Sequence, residues 1–257
     1  MLTFYKKPFL PLITALGRRK AEKHFSDPPI FIGGCGRSGT TLLLSIISAH
    51  PQVFACPKEL GIFNKIIYDK NGQPGPSRID RLYRCIISKR VAPEARRFCE
   101  KSPGNVKQID VIDSYFNGDF RFIHIIRDGR DVVLSRHPTD KQRYWVDPER
   151  WVNDVRIGLK FKDHPKVFTL RYEDLVDDYS ASIRRIGDFC QLPLTPEWEN
   201  WFEHTTVKRN VAYSDGVQKL HNSSVGKWRQ PKHAERVAEL MAYPGAAELL
   251  AELGYGE

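Results

Sequence analysis

The stretch Gly33-Gly34-Cys35-Gly36-Arg37-Ser38-Gly39-Thr40-Thr41 (GGCGRSGTT) decides the fold through what stands on either side of it. Before it runs Pro29-Ile30-Phe31-Ile32, a short apolar run rich in β-branched and aromatic residues, as in a buried strand. After it, Thr40 to His50 (TTLLLSIISAH) reads as a buried helix closed by Pro51. Strand, glycine loop and helix in that order aim successive backbone N–H groups and a helix N-terminus at one anion. One position departs from a nucleotide triphosphatase: Thr40 stands where the lysine that reaches the β- and γ-phosphates would be. Arg37 offers a guanidinium fork instead, suited to a monoanionic or dianionic group and poorly suited to Mg²⁺-ATP.

Working outward, strands are expected at Phe98 to Lys101, Phe120 to Ile126 and Lys166 to Leu170. Helical patterns cover Ile62 to Tyr68, Ile79 to Lys89, Val106 to Tyr115, Gly129 to His137, Pro148 to Phe161, Ser180 to Cys190 and Ala234 to Met241. This alternation implies an α/β fold: a central, mostly parallel sheet flanked by helices, a three-layer sandwich like that of the P-loop NTPases. Ligands of such sheets sit outside the carboxyl ends of the strands. Asn71 to Ser77 reads as an exposed loop, and Thr205 to Gln230 as a surface loop or a lid over a ligand. With 257 residues, 41% of them hydrophobic, the chain suits an arm over 1–28 and one α/β domain over 29–257.

The net charge of +9 favours anionic partners without choosing among nucleotides, anionic substrates, nucleic acid and acidic membranes. Five cysteines, widely spaced and with no Cys-x-x-Cys pair, read as reduced thiols of a cytoplasmic protein. The apolar run Phe9 to Leu16 is too short to span a bilayer and is broken by Pro11. It reads as an ordinary amphipathic helix; a peripheral membrane arm is the weaker alternative.

A second signature follows the expected strand Phe120 to Ile126: Arg127-Asp128-Gly129-Arg130-Asp131-Val132-Val133-Leu134-Ser135. Arg127 falls at a strand's carboxyl end and Ser135 about two turns into the next helix, so the two converge on a single phosphate. The plainer alternative pairs Arg127 with Asp131 and leaves Ser135 facing solvent.

Together, Pro29 to His50 and Arg127 to Ser135 resemble the two nucleotide-binding signatures of the PAPS-dependent sulfotransferases. That resemblance implies transfer of a sulfuryl group from 3′-phosphoadenosine 5′-phosphosulfate (PAPS), as co-substrate and without a metal, to an acceptor hydroxyl. It implies that Gly36, Arg37, Ser38, Gly39, Thr40 and Thr41 hold the 5′-phosphosulfate and that Arg127 and Ser135 hold the 3′-phosphate. Cys99-Glu100-Lys101-Ser102-Pro103 is similar to the family's Glu-Lys-Ser-Pro segment, whose lysine contacts the transferring group. Lys58-Glu59-Leu60-Gly61-Ile62-Phe63 resembles the segment that carries the catalytic base, here Glu59. Leu170-Arg171-Tyr172-Glu173-Asp174-Leu175 resembles the segment whose tyrosine neighbours the adenine, and Gly226-Lys227-Trp228-Arg229 the late loop that closes over the nucleotide. The cytosolic small-molecule enzymes carry a loop lysine and a catalytic histidine; Arg37 and the absence of a histidine after Lys101-Ser102-Pro103 place this chain nearer the Golgi-type, tyrosylprotein, carbohydrate and bacterial branches.

By this resemblance Glu59 takes the acceptor proton, while Arg37, Lys101 and the loop amides stabilise developing charge. Rivals remain at the sequence level. A P-loop nucleotide kinase predicts a lysine at position 40, and a nucleic-acid-binding protein would use Arg81 to Arg97 as its footprint. Cys35 could be a reactive thiol at a helix N-terminus, and His50, His124 and His137 are alternative bases, His124 reading as core. The same basic stretch hints at an acidic acceptor, whereas Tyr144, Trp145 and Trp151 could stack on a sugar or lipid. Carbohydrate, tyrosyl and other small acceptors stay open, as does the oligomeric state.

Overall fold

The structure, a computed structural model, describes residues 10–137, 139–208, 220 and 222–256. In chain order the strands are β1 (Ile30–Gly33), β2 (Val53–Ala55), β3 (Ile66–Tyr68), β4 (Pro74–Pro76), β5 (Arg97–Lys101), β6 (Arg121–Ile126) and β7 (Val167–Arg171). The helices are α1 (Leu10–His24), α2 (Thr40–Ile47), α3 (Ile79–Ser88), α4 (Ile109–Tyr115), α5 (Gly129–Val132), α6 (Pro148–Leu159), α7 (Tyr172–Asp177) and α8 (Tyr179–Cys190). They continue with α9 (Pro196–Glu199), α10 (Trp201–His204), α11 (Ala234–Met241) and α12 (Ala246–Glu252).

Five strands form the main sheet in the order β2-β5-β1-β6-β7, every pair parallel. Such a sheet is covered on both faces, so β1, β5 and β6 are buried at every residue. Alternation along the strands separates two cores. Ile30, Ile32, Ile123 and Ile125 join Leu43, Ile46 and Ile47 of α2 and Ile183 and Ile186 of α8 on one face. Phe31, Phe98 and Phe122 join Leu82 and Ile86 of α3 and Ile112 of α4 on the other. A third cluster, with Val132, Trp151, Val155, Leu240 and Leu250, packs the helices beyond β6.

The register lines up the carboxyl ends. Ile32 pairs with Lys101 on one side of β1, Gly33 with His124 on the other, and Ile126 with Arg171 across β6 and β7. The chain runs from β5 on one flank of β1 to β6 on the other, the switch in strand order that opens a crevice beside the first loop.

The helix expected over Ile62 to Tyr68 is not formed. Ile66–Tyr68 pairs antiparallel with Pro74–Pro76, so the expected loop from Asn71 to Ser77 also contributes a strand, with Asp69 Oδ1 accepting from the amides of Asn71 and Gln73 at the turn. The helix expected over Gly129 to His137 stops at Val132, and Val106 to Tyr115 divides into the end of a 3₁₀ segment (Pro103–Gln108) and α4. The pattern missed β2, whose three residues are too few to show a period, the single-turn helices α9 and α10, and α12. The arm expected over 1–28 contains α1, which lies on α3 with Gly17 against Tyr83 and Lys20 Nζ donating to the Ile86 carbonyl at 2.7 Å. Among the described residues no helix is long and apolar enough to cross a membrane. Of the stretch from Thr205 to Gln230, expected as a loop or lid, residues 209–219 and 221 lie outside the described residues.

Candidate active site

The glycine loop leaves β1 and is fixed at its start by the Gly34 amide, which donates to the Pro103 carbonyl at 3.0 Å. Gly39 caps α2 at φ 95°, and a Cβ there would lie 2.5 Å from the Tyr172 ring, so the residue must be glycine. Arg37 takes φ 71°, a left-handed conformation costly for a side chain of this kind. Ser38 Oγ is buried in the loop without a hydrogen-bond partner, as is Nε of Arg127. Unsatisfied buried donors at a helix N-terminus are what an anionic ligand would satisfy. The loop therefore fits a phosphate or phosphosulfate on its own geometry.

Lys101, at the end of β5 and fully buried, donates from Nζ to Thr41 Oγ1 at 3.0 Å and to Glu59 Oε1 at 2.5 Å. Half of the Glu59 side chain remains exposed. A half-exposed carboxylate and a buried ammonium thus meet at one point, and the ammonium also touches the loop–helix junction through Thr41. Arg127 donates to the carbonyl of Arg37 at 3.2 Å and to that of Ser224, and lies over the Tyr172 ring at 4.4 Å. Burial raises the Tyr172 phenol above its ordinary value. Asp131 accepts from the amides of Gly226 at 2.7 Å and Trp228 at 3.1 Å, which docks the late loop on the start of α5. The Trp228 ring is in contact with the guanidinium groups of Arg130, at 3.7 Å, and Arg229, at 4.4 Å.

Gly36 to Thr41, Glu59, Lys101, Arg127, Tyr172 and Trp228 are thus brought to one end of the sheet. Ser135 is not where a long helix would put it. Past α5 the chain turns, its carbonyl accepts from the Trp145 amide at 2.8 Å, and it is half-buried outside any helix. Lys227 and Arg229 lie in a 3₁₀ turn with exposed side chains.

Several alternatives are corrected. Burial pushes the Cys35 thiol well up, which removes the reactive-thiolate reading. His50 Nδ1 accepts from the Gln52 amide and Nε2 faces the Pro193 carbonyl, a structural role. His124 is wholly buried with neither ring nitrogen partnered, held neutral down to a pKa of about 4 by desolvation. His137 packs on Trp145 at 4.3 Å. Trp151 is buried and donates to the Arg127 carbonyl, so it is not available to stack on an acceptor, and Tyr144 is in contact with the guanidinium groups of Arg136 and Arg236. Within the basic stretch, Arg84 pairs with Asp80, Arg81 donates to the Leu60 carbonyl and Arg97 pairs with Asp27, which weakens it as a nucleic-acid footprint.

Sequence reasoning missed two buried carboxylates that organise the strand ends. Glu173 accepts from the Asp128 amide at 3.0 Å and from the Tyr255 hydroxyl at 2.8 Å. Glu100 accepts from the Leu60 amide, Ser102 and Asn105. An acidic residue inside a strand otherwise buried on both faces was the available signal for Glu100.

Fold and site define a P-loop-class protein whose glycine loop, at the carboxyl ends of a parallel sheet, fits an anion. Residues 28–90 and 77–196 match the sulfotransferase family, more than half of the chain, and the protein belongs to that family. Protein-tyrosine sulfotransferase 1 of Danio rerio is 31% identical over 268 residues, 89% of this chain and 72% of that protein. Protein-tyrosine sulfotransferase A of Caenorhabditis elegans is 26% identical over 269 residues, 90% of this chain and 68% of that protein. The chain spans 33% of the length of an uncharacterised Aquifex aeolicus protein to which it is 29% identical. In fold it is similar to the sulfotransferase domain of the curacin biosynthetic pathway, with a TM-score of 0.56 and 18% identity over 85% of this chain and 99% of that one.

Proposed function

We propose that this protein transfers the sulfuryl group of PAPS to an acceptor hydroxyl by in-line displacement, and that the acceptor is a tyrosyl phenol. The observation that carries the reading is the buried Lys101 ammonium, in contact at once with Thr41 of the anion loop and with Glu59. PAPS supplies the activated sulfuryl group; the chain supplies position and charge. Glu59, in contact with Lys101, is the general base for the acceptor proton. Once Glu59 is neutral, the Lys101 ammonium loses its counter-charge and is free to balance negative charge that gathers on the leaving bridge oxygen. Arg37, Ser38 and the loop amides bind the 5′ side, Arg127 the 3′-phosphate and Tyr172 the nucleoside, with the late loop at Trp228 beside it. The tyrosyl acceptor is supported by the names of the relatives from Danio rerio and Caenorhabditis elegans. All five cysteines are free, which suits a reducing, cytoplasmic setting.

The test is calorimetry of adenosine 3′,5′-bisphosphate without Mg²⁺, with Arg127→Ala and with ATP as control, followed by PAPS-dependent sulfation of a tyrosyl peptide. Bisphosphate binding that Arg127→Ala weakens by about tenfold or more, together with turnover, is expected. Tighter binding of Mg²⁺-ATP would overturn the reading in favour of a kinase.

A further inference from the structure

We propose that Glu100 is a positioning residue for this reaction, its buried carboxylate fixing the turn that presents Glu59 to Lys101; the inference rests on the roles given to those two residues above. Glu100 lies in β5 with no exposed surface. Its Oε1 accepts from the Leu60 amide at 3.1 Å and from Ser102 Oγ at 2.7 Å. Ser102 Oγ in turn accepts from the Gly61 amide at 3.0 Å, so one carboxylate, directly and through a hydroxyl, holds the two amides that follow Glu59. The Leu60 carbonyl is held from the other side by Arg81 at 2.7 Å.

The second oxygen, Oε2, accepts from Asn105 Nδ2 at 2.7 Å, and Asn105 Nδ2 also reaches the Ile32 carbonyl at 3.3 Å, just before the anion loop. The partners of Glu100 thus lie beside Glu59, beside Lys101 and beside the loop, the three segments whose relative placement sets the reaction geometry. All of its partners are donors, so the group must present acceptors on both oxygens. A carboxylate desolvated to this degree is costly, and an apolar residue would fill the same core space without that cost. What the carboxylate adds is a fixed backbone at Leu60 and Gly61, and with it the 2.5 Å contact of Glu59 with Lys101.

Two variants test this. Glu100→Gln keeps the shape and turns one acceptor into a donor against a donor; Ser102→Ala cuts the link to Gly61 and leaves the carboxylate. Each is compared with wild type for kcat and KM in sulfation of a tyrosyl peptide, for calorimetric affinity for adenosine 3′,5′-bisphosphate, and for hydrogen exchange in the peptide covering residues 58–62. Displacement of Glu59 by a fraction of an ångström to an ångström should lower kcat by about 10²-fold with nucleotide affinity within about twofold. Exchange at Leu60 and Gly61 should be faster in both variants. In a Glu59→Gln background the further loss from Glu100→Gln should vanish, because residues that act as a unit are not additive. Losses that multiply in that background, or a fall in nucleotide affinity parallel to that in kcat, would overturn the proposal. If Glu100→Gln does not fold, Ser102→Ala gives the same readouts. A wild type that binds the bisphosphate but leaves the peptide unsulfated sinks the tyrosyl-acceptor reading instead. The exchange measurement then decides on Glu100 alone, and unchanged exchange in both variants overturns its role.

Discussion

Arg37 gathers two demands at one residue. It stands in the left-handed region at φ 71° and in the middle of the anion loop, so its backbone is strained where its side chain is useful. Arg37→Gly should therefore raise stability by about 1 kcal/mol in chemical denaturation while weakening binding of the bisphosphate. Gly39→Ala should do the reverse of helping: at φ 95° and 2.5 Å from Tyr172 the added methyl forces the loop off the ring, and a loss of about 1–3 kcal/mol is expected together with lost nucleotide binding. Glu59→Gln should leave calorimetric affinity for the bisphosphate intact and lower kcat by about 10²- to 10⁴-fold. That Arg37, Thr40, Glu59 and Lys101 fall at one end of the sheet was legible because each lies in a short contiguous motif next to a strand or the glycine loop. What Glu100 and Asp131 hold was not, because each acts on backbone amides far away in the chain, Leu60 for one and Gly226 and Trp228 for the other.

Among the elements, the long strands and helices were legible and the short ones were not. β1 and β6 are apolar runs buried on both faces, a pattern that composition alone reveals. The stretch Ile62 to Tyr68 has the apolar content of a helix, but pairing with Pro74–Pro76 makes its end a strand, a tertiary choice that no local pattern records. After α5 the backbone is drawn away by the Arg136–Tyr144 bridge and the Trp145–Ser135 hydrogen bond, which is why Ser135 left the expected helix. The packing of α6 on β6 is close enough that a Cβ on Gly158 would lie 2.2 Å from the His124 ring. Gly158→Ala gains helix propensity but overpacks a buried ring with no room to turn, and a net loss of about 1–3 kcal/mol in unfolding experiments is expected.

At the scale of the whole molecule, His124 couples folding to acidity. Its folded pKa is depressed from 6.5 to about 4, so the unfolded chain takes up a proton first as pH falls. Its contribution is complete above pH 6.5 and is lost on the way down to about 4. That interval corresponds to about 3 kcal/mol, and His124→Leu should flatten it in pH-dependent denaturation. Glu100 and Glu173, raised by burial, act with the opposite sign and lose stability as pH climbs above 4.5, so the two trends partly offset each other in the wild type. The late loop, pinned by Asp131 to a segment almost a hundred residues earlier in the chain, gives the molecule one more property. An indole in contact with two guanidinium groups is an optical gauge of its surroundings. Of the five tryptophans, Trp151, Trp198 and Trp201 are sealed in the core, so a change in emission when the loop shifts would come from Trp228 and from Trp145. The fold thus carries its own fluorescent reporter of how the late loop is seated on α5.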